Sequence, residues 1–402
     1  MEELLPELCR VAMDLGLQYE ILVVDGSSAD GTAETARRSG ARVLDVGRGY
    51  GDAVRAGIRA ARGTYAITMD ADLSHGPEVV SRLWAVRDPL VIGIASRYVP
   101  GGSVRTHPVR AALSRVLNAV FARGLSLPVR DLSSGFRIYP TAAIRDLVAT
   151  ASDFDILPEL LVRAYCAGWR VVEVPFDYRP RRNGSSKARV IRLGLAYLRT
   201  FRRLWRLRNS IGSADYDERA FDSVVPLQRQ WQRRRHAIIT AAATAGGRVL
   251  DVGCGSSRIL RDLRDAVGLD IGLDRLRYMS RYGVPLVQGS IFALPFRDSS
   301  FDTVVCSEVI EHIRADIVVF RELARVHRSG GRLVLGTPDY GTRSWRMIEA
   351  AYRVLAPGGY ADEHITHYTH DQLKSLVVAL GYRHVRSEYV LRSEMILTFE
   401  KL

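Results

Sequence analysis

Short runs of apolar residues alternate along this chain with stretches of amphipathic character. The runs at residues 19–24, 41–46, 65–69 and 248–252 are rich in β-branched side chains and have the length of buried strands. Stretches with helical spacing lie between them. Alternation of short apolar strands with helices predicts sheets that are covered by helices. The pattern therefore predicts an α/β fold, and 402 residues are enough for two such domains.

Acidic side chains stand where two of these strands end. Asp25 follows the first run, and Asp70 and Asp72 follow the run at 65–69. Strand ends of α/β sheets are common ligand-binding corners. Two carboxylates one residue apart can share a hard divalent cation, which would neutralise a diphosphate and make a nucleotide a better leaving group. A turn that is acidic without any ligand is the alternative interpretation of the pair.

Six ordered segments within residues 19–187 resemble family 2 glycosyltransferases of the GT-A fold, in particular the dolichol-phosphate mannose synthase group. They read EILVVDGSSADGTAE, MDADLSHGPE, ASRYVPGG, VRDLSSGFRIYP, VVEVPFDYRP and RRNGSSK. The resemblance implies transfer of a sugar from a nucleotide donor, GDP-mannose or a UDP-sugar. The implied acceptor is polyprenyl or dolichyl phosphate, or another lipid-linked acceptor.

The same resemblance assigns roles to single residues. Asp25 would contact the nucleotide base or ribose, and Asp70 and Asp72 would hold Mg²⁺ or Mn²⁺ on the donor diphosphate. The residues expected to line the phosphate-binding face are Arg97, Ser134, Arg137, Arg182 and Lys187. Asp72, Arg97 and Arg137 are the residues expected to act in catalysis, because two anions must be held close together. A structural ion pair is the alternative role of Arg137, and a mobile surface group that of Lys187.

Three features depart from the pattern of these relatives. Relatives begin with a strand that carries a Pro-Thr-x-Asn-Glu-like motif, whereas this sequence starts inside the helix that follows it. We expect that central strand to be encoded upstream of Met1, and a catalytically impaired domain is the alternative. Ser74 stands where close relatives often have a glutamine that helps to ligate the metal. Gly26 stands in place of a second aspartate.

A basic segment begins where these motifs end. The chain has a net charge of +13, and residues 179–208 contain eleven basic residues and no acidic one. Ile191, Leu195, Leu198 and Trp205 recur there at helical spacing. A basic amphipathic helix with leucine and tryptophan favours the surface of an anionic membrane. A helix packed on its own domain is one alternative, and a nucleic-acid contact is the least favoured.

The second half shows a glycine loop after a strand. Gly253 and Gly255 follow the run at 248–252, which contains Asp251, and Asp270 ends the next strand. Glycines let the backbone approach a ligand at a helix start, and the second acid can accept both hydroxyls of a ribose. This combination alone fits either NAD or S-adenosylmethionine.

Later segments distinguish these two cofactors. LVQGSIFALPFRDSSFDTVVCSEVIEHI and ARVHRSGGRLVLGTP resemble class I S-adenosylmethionine-dependent methyltransferases, and no nicotinamide enzyme family shows this order. The resemblance implies methylation of a small molecule or a glycan. The residues it places around the cofactor are Asp251, Gly253, Gly255, Asp270, Ser290 and Glu308. Ser290 replaces an aspartate that usually bonds the adenine amine, so we expect weaker adenine binding.

Two groups of polar residues are candidates for acceptor chemistry. Glu311 and His312 could supply the general base of an O-methylation, with a structural role as the alternative. A His-x-x-His spacing that can ligate zinc occurs further on, among Glu363, His364, His367 and His370. That segment resembles the lead-in to a helix that covers the methyltransferase site, which is the favoured interpretation.

Together these patterns predict two Rossmann-like α/β/α sandwich domains. A GT-A domain is expected over residues 1–187, a basic helix and linker over 188–214, and a methyltransferase domain over 215–402. The scattered cysteines and the lack of an apolar run of about 18 residues favour a cytoplasmic protein, peripheral at the membrane. The expected function is a bifunctional transferase.

Two other functions stay open at this point. One is a methyltransferase carried by a catalytically impaired, glycosyltransferase-like membrane-docking module. The other is a methyltransferase acting on nucleic acid, which is disfavoured because the chain has no motif like Asn-Pro-Pro-Tyr for binding a base.

Overall fold

The chain folds into two compact units, Met1–Arg208 and Asn209–Leu402. The computed structural model describes residues 1–47, 49–179, 190–243, 246–355 and 364–402. The border between the units falls at the end of the basic helix. None of the described helices is both long enough and apolar enough to span a lipid bilayer.

The first unit alternates helices with short strands. Its elements are α1 (Leu4–Asp14), β1 (Leu22–Asp25), α2 (Thr32–Arg38), β2 (Arg42–Asp45), α3 (Tyr50–Ala60), β3 (Tyr65–Thr68), α4 (Val79–Ala85), β4 (Val91–Ser96), β5 (Ser103–Val104), α5 (Pro108–Gly124), β6 (Arg137–Pro140), α6 (Thr141–Ile144), α7 (Ile156–Cys166), β7 (Arg170–Pro175), β8 (Asp177–Tyr178) and α8 (Val190–Arg208).

The main sheet of the first unit has the order β3-β6-β4-β7, with β6 antiparallel to both of its neighbours. The parallel pair β1-β2 and the pair β5-β8 are separate from it. Within the described ranges β1 pairs with β2 alone and β3 with β6 alone, so each keeps one edge without a strand partner. The additional central strand expected from the sequence stays a prediction.

The core of the first unit lies between the sheet and the helices α5, α7 and α8. Strand β4 is buried along its whole length, as expected for a strand covered on both faces. Helix α8 contributes Tyr197 and Leu204 to this core, and Phe121 of α5 packs edge-on against Tyr197. One face of the basic helix is therefore part of the domain.

The second unit contains a longer run of alternating elements. They are α9 (Tyr216–Phe221), α10 (Pro226–Ala243), β9 (Val249–Val252), α11 (Arg258–Asp262), β10 (Ala266–Asp270), α12 (Leu273–Met279), β11 (Leu286–Gln288), β12 (Phe301–Ser307), α13 (Ile317–Val326), β13 (His327–Pro338), α14 (Arg343–Leu355), α15 (His370–Val378), β14 (Tyr382–Val390) and β15 (Glu394–Lys401), with 3₁₀ turns at Ser280–Tyr282 and Ile310–His312.

The described strands of this unit form one sheet in the order β11-β10-β9-β12-β13-β15-β14. The strands from β11 to β13 run parallel, and β15 is antiparallel to both β13 and β14. The direction of chain progression reverses between β9 and β12, and ligands of such sheets bind beyond the carboxyl ends of the strands at that point. The predicted α/β class with two Rossmann-like domains is confirmed.

Candidate active sites

Three acidic residues of the first unit lie at the ends of β1 and β3. Asp25 is buried, and its Oδ2 accepts a hydrogen bond from the backbone N–H of Ser28 at 3.1 Å. Asp72 Oδ1 accepts from the backbone N–H of Ser74 at 3.1 Å and also from the Ser74 hydroxyl. The serine that departs from the family pattern is itself buried and orients the Asp72 carboxylate.

Asp70 is held by a histidine and bordered by a glycine. Its backbone N–H donates to His75 Nδ1 at 2.9 Å, and His75 Nε2 lies 3.8 Å from Asp70 Oδ2. A Cβ atom on Gly135 would lie 2.8 Å from Tyr50 Oη, so a larger residue there would displace the tyrosine hydroxyl beside Asp70. Carboxylate oxygens are the ligands that Mg²⁺ and Mn²⁺ prefer, so the donor set of Asp70 and Asp72 fits such an ion.

Arg97 is bound to a buried carboxylate. Its Nε donates to Asp131 Oδ2 at 2.8 Å and its Nη2 to Asp131 Oδ1 at 2.7 Å. Nη2 also donates to Ser133 Oγ at 2.7 Å. Such a two-pronged pair fixes the guanidinium in one orientation. Arg97 therefore anchors the loop that carries the predicted residue Ser134.

Arg137 lies in the core, under the same loop. Its side chain is fully buried in β6, the strand between β3 and β4. Nη1 donates to the carbonyl of Leu157 at 2.7 Å and Nη2 to that of Leu132 at 2.5 Å. The sequence predicts this guanidinium on the phosphate-binding face, whereas the structure buries it beneath the loop that carries Ser134.

Two residues predicted to complete this face, Arg182 and Lys187, lie outside the described residues. They belong to the last of the six quoted segments, so their assigned roles rest on the resemblance. Their contribution to phosphate binding stays a prediction.

The glycine loop of the second unit requires its glycines. Gly253 and Gly255 have φ angles of +70° and +52°, a region that disfavours other residues. A Cβ atom on Gly253 would overlap the Val309 side chain, and one on Gly255 would lie 2.7 Å from Asp217 Oδ2. The loop thus turns tightly at the carboxyl end of β9, as predicted.

The two acids of this loop have different environments. Asp270 accepts from the backbone N–H of Gly255 at 2.9 Å and from that of Gly272 at 2.7 Å. Asp251 is buried, and its Oδ2 has no hydrogen-bond partner among the described residues. Burial raises the pKa of Asp251 to about 7, and the nearby Asp270 carboxylate adds to this rise.

Glu308 directly follows β12 and has a left-handed conformation with φ of +57°. Its Oε2 lies 3.0 Å from Arg235 Nη2, and its Oε1 is buried without a hydrogen-bond partner in the described ranges. Arg235 also pairs with the buried Glu394, its Nε lying 2.6 Å from Oε1 of that residue. Ser290, after β11, is half-buried and accepts from the backbone N–H of Phe292 at 3.2 Å.

The sequence motifs do not predict three residues that contact this site: Asp217, Arg235 and Glu394. They come from α9, α10 and β15, which are far from the glycine loop along the chain. No fixed spacing links them to the motifs, although an arginine-rich helix ahead of the first strand was a visible signal.

The glycine loop and the acids around it fit S-adenosylmethionine. The ribose hydroxyls and the ammonium group of that cofactor are hydrogen-bond donors, and Asp251 and Glu308 each present a buried acceptor oxygen that has no partner in the described part of the chain. The glycine loop packs closely against Val309 and Asp217, which fixes its backbone beside these acids.

The candidate acceptor residues Glu311 and His312 lie in the 3₁₀ turn after β12. Glu311 is fully buried, its Oε2 accepts from Thr337 Oγ1 at 3.0 Å, and burial raises its pKa to about 8. The ring of His312 lies 5.0 Å from that of His364. The structure therefore brings His364 to Glu311 and His312.

The histidines of the His-x-x-His spacing do not come together in the structure as a group. His367 instead stacks on Tyr340 with ring centres 3.9 Å apart, and His370 Nε2 lies 2.8 Å from Ser387 Oγ. Glu363, the first residue of the predicted group, lies outside the described residues.

Comparison with known proteins gives two family matches. A family model for glycosyl transferase family 2 matches residues 2–148, and one for a methyltransferase domain matches residues 250–335. A polyprenol monophosphomannose synthase of Mycolicibacterium smegmatis is 38% identical over 188 residues, covering 42% of this chain and 70% of that protein.

A dolichol-phosphate mannosyltransferase of Pyrococcus furiosus is 34% identical over 212 residues. The match covers 50% of this chain and 58% of that relative, so the chain spans little more than half of its length. An uncharacterized glycosyltransferase of Mycobacterium tuberculosis is 36% identical over 170 residues, covering 42% of this chain and 78% of that protein.

Solved structures that match the chain include a possible histamine N-methyltransferase of Thermotoga maritima, at 18% identity and a TM-score of 0.37, covering 46% of this chain and 100% of that chain. Magnesium protoporphyrin IX methyltransferase of Synechocystis is 17% identical with a TM-score of 0.39, and the match covers 49% of this chain and 97% of that chain. Both resemblances drawn from the motifs are confirmed by the family matches. The chain belongs to glycosyltransferase family 2 and carries a methyltransferase domain in its second unit.

Proposed function

We propose that the chain is a bifunctional transferase. The first unit transfers a sugar from GDP-mannose or a UDP-sugar to polyprenyl or dolichyl phosphate, or to another lipid-linked acceptor. The second unit methylates a small molecule or a glycan. The observation that carries the first activity is the pair Asp70 and Asp72 at the end of β3, each held by a buried neighbour. The names of the mannosyltransferase relatives support the substrate class.

The site residues of the first unit have two kinds of role, ligand binding and positioning. Asp70 and Asp72 would hold Mg²⁺ or Mn²⁺, and the ion would neutralise the diphosphate of the donor. Asp25 would hold the nucleoside. Arg97 and Arg137 would act as positioning residues, because both donate hydrogen bonds to the segment at residues 131–133.

Two neighbouring helices support attachment to an anionic membrane. On α8 the exposed residues include Leu195, Leu198 and Trp205 together with arginines. Helix α5 packs beside α8 through Phe121 and Phe201, and its exposed side chains include an apolar row with helical spacing. That row is Val109, Leu113, Val116 and Val120. Apolar rows among arginines suit the boundary of a bilayer with acidic headgroups.

A transfer assay tests the first activity. The full chain is incubated with labelled GDP-mannose or UDP-glucose, polyprenyl phosphate and Mg²⁺ or Mn²⁺, and the label that enters the organic phase is counted. We expect metal-dependent transfer that falls about 100-fold or more in Asp72→Asn, as for removal of a group that stabilises transition-state charge. Asp45→Asn, which changes an exposed acid at the end of β2, is the matched control.

Absence of transfer with every donor, or equal rates for wild type and Asp72→Asn, would overturn the glycosyl-transfer proposal. The second candidate function, a methyltransferase on an impaired docking module, is favoured by the unpartnered strand edges of β1 and β3 in the described ranges. It predicts no sugar transfer but intact binding of S-adenosylhomocysteine.

Titration calorimetry with S-adenosylhomocysteine tests the cofactor site of the second unit. Asp270→Asn leaves a carbonyl in place of a charged acceptor, and we expect about 10- to 100-fold weaker binding because charged hydrogen bonds contribute about 1.5–3 kcal/mol. Asp274→Asn, an exposed acid in the next helix, should bind as the wild type does. Unchanged affinity in Asp270→Asn would contradict the assignment.

A further inference from the structure

We propose that Glu311, His312 and His364 bind a divalent transition-metal ion such as Zn²⁺. One ligand atom from each of the three lies within 4.8 Å of those from the other two. Two imidazoles and one carboxylate are a donor set that binds Zn²⁺ and related ions. This set contains nitrogen, unlike the all-oxygen pair of the first unit, so it favours a different class of metal.

Glu311 and His364 each keep one polar side-chain atom that has no partner among the described residues. Glu311 Oε1 and His364 Nε2 are both buried and make no hydrogen bond there. Leaving a buried polar atom unpaired costs about 1–3 kcal/mol, so such atoms are rare unless something binds them. One cation would satisfy both atoms.

The other polar atom of each of these two side chains makes a hydrogen bond. These bonds fix the orientation of Glu311 Oε1 and His364 Nε2. Glu311 Oε2 accepts from Thr337 Oγ1 at 3.0 Å. His364 Nδ1 lies 2.8 Å from Tyr340 Oη, and the Tyr340 hydroxyl donates onward to Glu349 Oε1 at 3.4 Å. Nδ1–H therefore donates to Tyr340, and Nε2 keeps its lone pair. Partners of this kind on the far nitrogen orient metal-binding histidines.

The backbone fixes the two segments against each other. The N–H groups of Ile365 and Thr366 donate to the Glu311 carbonyl at 2.7 and 3.0 Å, and Thr366 Oγ1 donates to the Ile313 carbonyl at 2.6 Å. The cluster is thus assembled by main-chain bonds as well as by its side chains.

A three-ligand site keeps positions for further ligands. His312 and His364 are partly exposed, so water can reach an ion bound there. An oxygen of the methyl acceptor could take the same position. That last role rests on the proposed methyltransferase function, whereas the binding of the ion does not.

Cobalt titration of the untagged full chain tests the proposal. The protein is stripped with a chelator and titrated with Co²⁺ in excess Mg²⁺, which saturates all-oxygen sites, and the visible absorption of bound Co²⁺ is recorded. We expect one equivalent with nitrogen-ligand bands, competed away by Zn²⁺. His312→Gln and His364→Gln should each lose this band, with folding verified by circular dichroism and S-adenosylhomocysteine binding.

Two further variants separate ligands from neighbours. Tyr340→Phe removes the hydroxyl that orients His364 and should weaken Co²⁺ binding about 10- to 100-fold. His367→Gln removes an imidazole that stacks on Tyr340 but lies outside the cluster, and it should keep the full band. A band that persists in both His312→Gln and His364→Gln would overturn the proposal. So would wild-type protein that binds S-adenosylhomocysteine but gives no band.

Discussion

His327 is a buried histidine that couples the stability of the second unit to pH. Its side chain has no exposed surface, and Nδ1 lies 3.0 Å from Tyr382 Oη. Burial lowers its pKa to about 4, and Lys401 acts in the same direction, while Asp302 opposes them. The unfolded chain, with a histidine pKa of about 6.5, binds this proton first as the pH falls.

The stability contributed by neutral His327 is present above pH about 6.5 and is lost as the pH falls towards 4. We expect about 2 kcal/mol of this loss between pH 7 and pH 5. Urea unfolding at several pH values measures this loss of stability. The transition of the second unit is the one that S-adenosylhomocysteine shifts to higher urea. His327→Gln should flatten the pH dependence. Equal slopes for His327→Gln and wild type would contradict this account.

Gly253 combines a left-handed backbone with a steric restriction. Gly253→Ala adds a methyl group that meets Val309, in addition to the strain of φ +70°. Gly283 is the matched control, since its φ is +68° but a Cβ atom there meets nothing within 4 Å. Gly283→Ala should lower the free energy of unfolding only through backbone strain, by about 1 kcal/mol.

We expect Gly253→Ala to destabilise the second unit by about 1–3 kcal/mol more than Gly283→Ala and to abolish measurable S-adenosylhomocysteine binding. Denaturant unfolding and calorimetry give the two quantities. Identical results for both variants would show that Val309 does not restrict the loop.

The residues whose position could be predicted from the sequence are those that stand at the end of a strand. Asp25, Asp70 and Asp270 could be located because a short apolar run fixes where the strand stops and the next side chain emerges. Arg97 and Arg137 could not, because their partners depend on tertiary packing. Asp131 lies 34 residues from Arg97, and the carbonyl that binds Arg137 Nη1 belongs to Leu157, in α7.

Among the elements, β1, β2, β3 and β9 and the basic helix α8 follow from periodicity. The order of strands in the second sheet does not, because the antiparallel insertion of β15 beside β13 depends on contacts between distant segments. For the same reason the sequence grouped His364 with His367, whereas the fold brings it to the turn after β12.

Helix α8 should attach the chain to acidic vesicles. We expect sedimentation with anionic liposomes at low salt and release at high salt, because exposed charges are screened there. Trp205→Ser combined with Leu198→Ser should weaken binding by removing apolar area at the bilayer boundary. Leu227→Ser changes an equally exposed leucine in α10 and is the control.

Vesicle sedimentation at several salt concentrations measures this attachment. Equal binding to neutral and anionic vesicles at high salt would contradict an electrostatic contribution. Loss of binding in the control variant would show that α8 is not the attachment surface.

Across the molecule, two units of different transferase families share one chain. If both are active, each must be stabilised by its own ligand class and by no other. A ligand that binds only the folded state at about 100 times its dissociation constant adds about 2.7 kcal/mol of stability, which thermal unfolding detects.

The decisive measurement is thermal unfolding of the full chain with S-adenosylhomocysteine, and with GDP-mannose or UDP-glucose in the presence and absence of Mn²⁺. We predict stabilisation by both ligand classes. Asp72→Asn should abolish only the Mn²⁺-dependent response to nucleotide sugar, and Asp270→Asn should reduce only the response to S-adenosylhomocysteine. Stabilisation by S-adenosylhomocysteine alone, with every nucleotide sugar inactive, would contradict a bifunctional enzyme and leave a methyltransferase on a docking module.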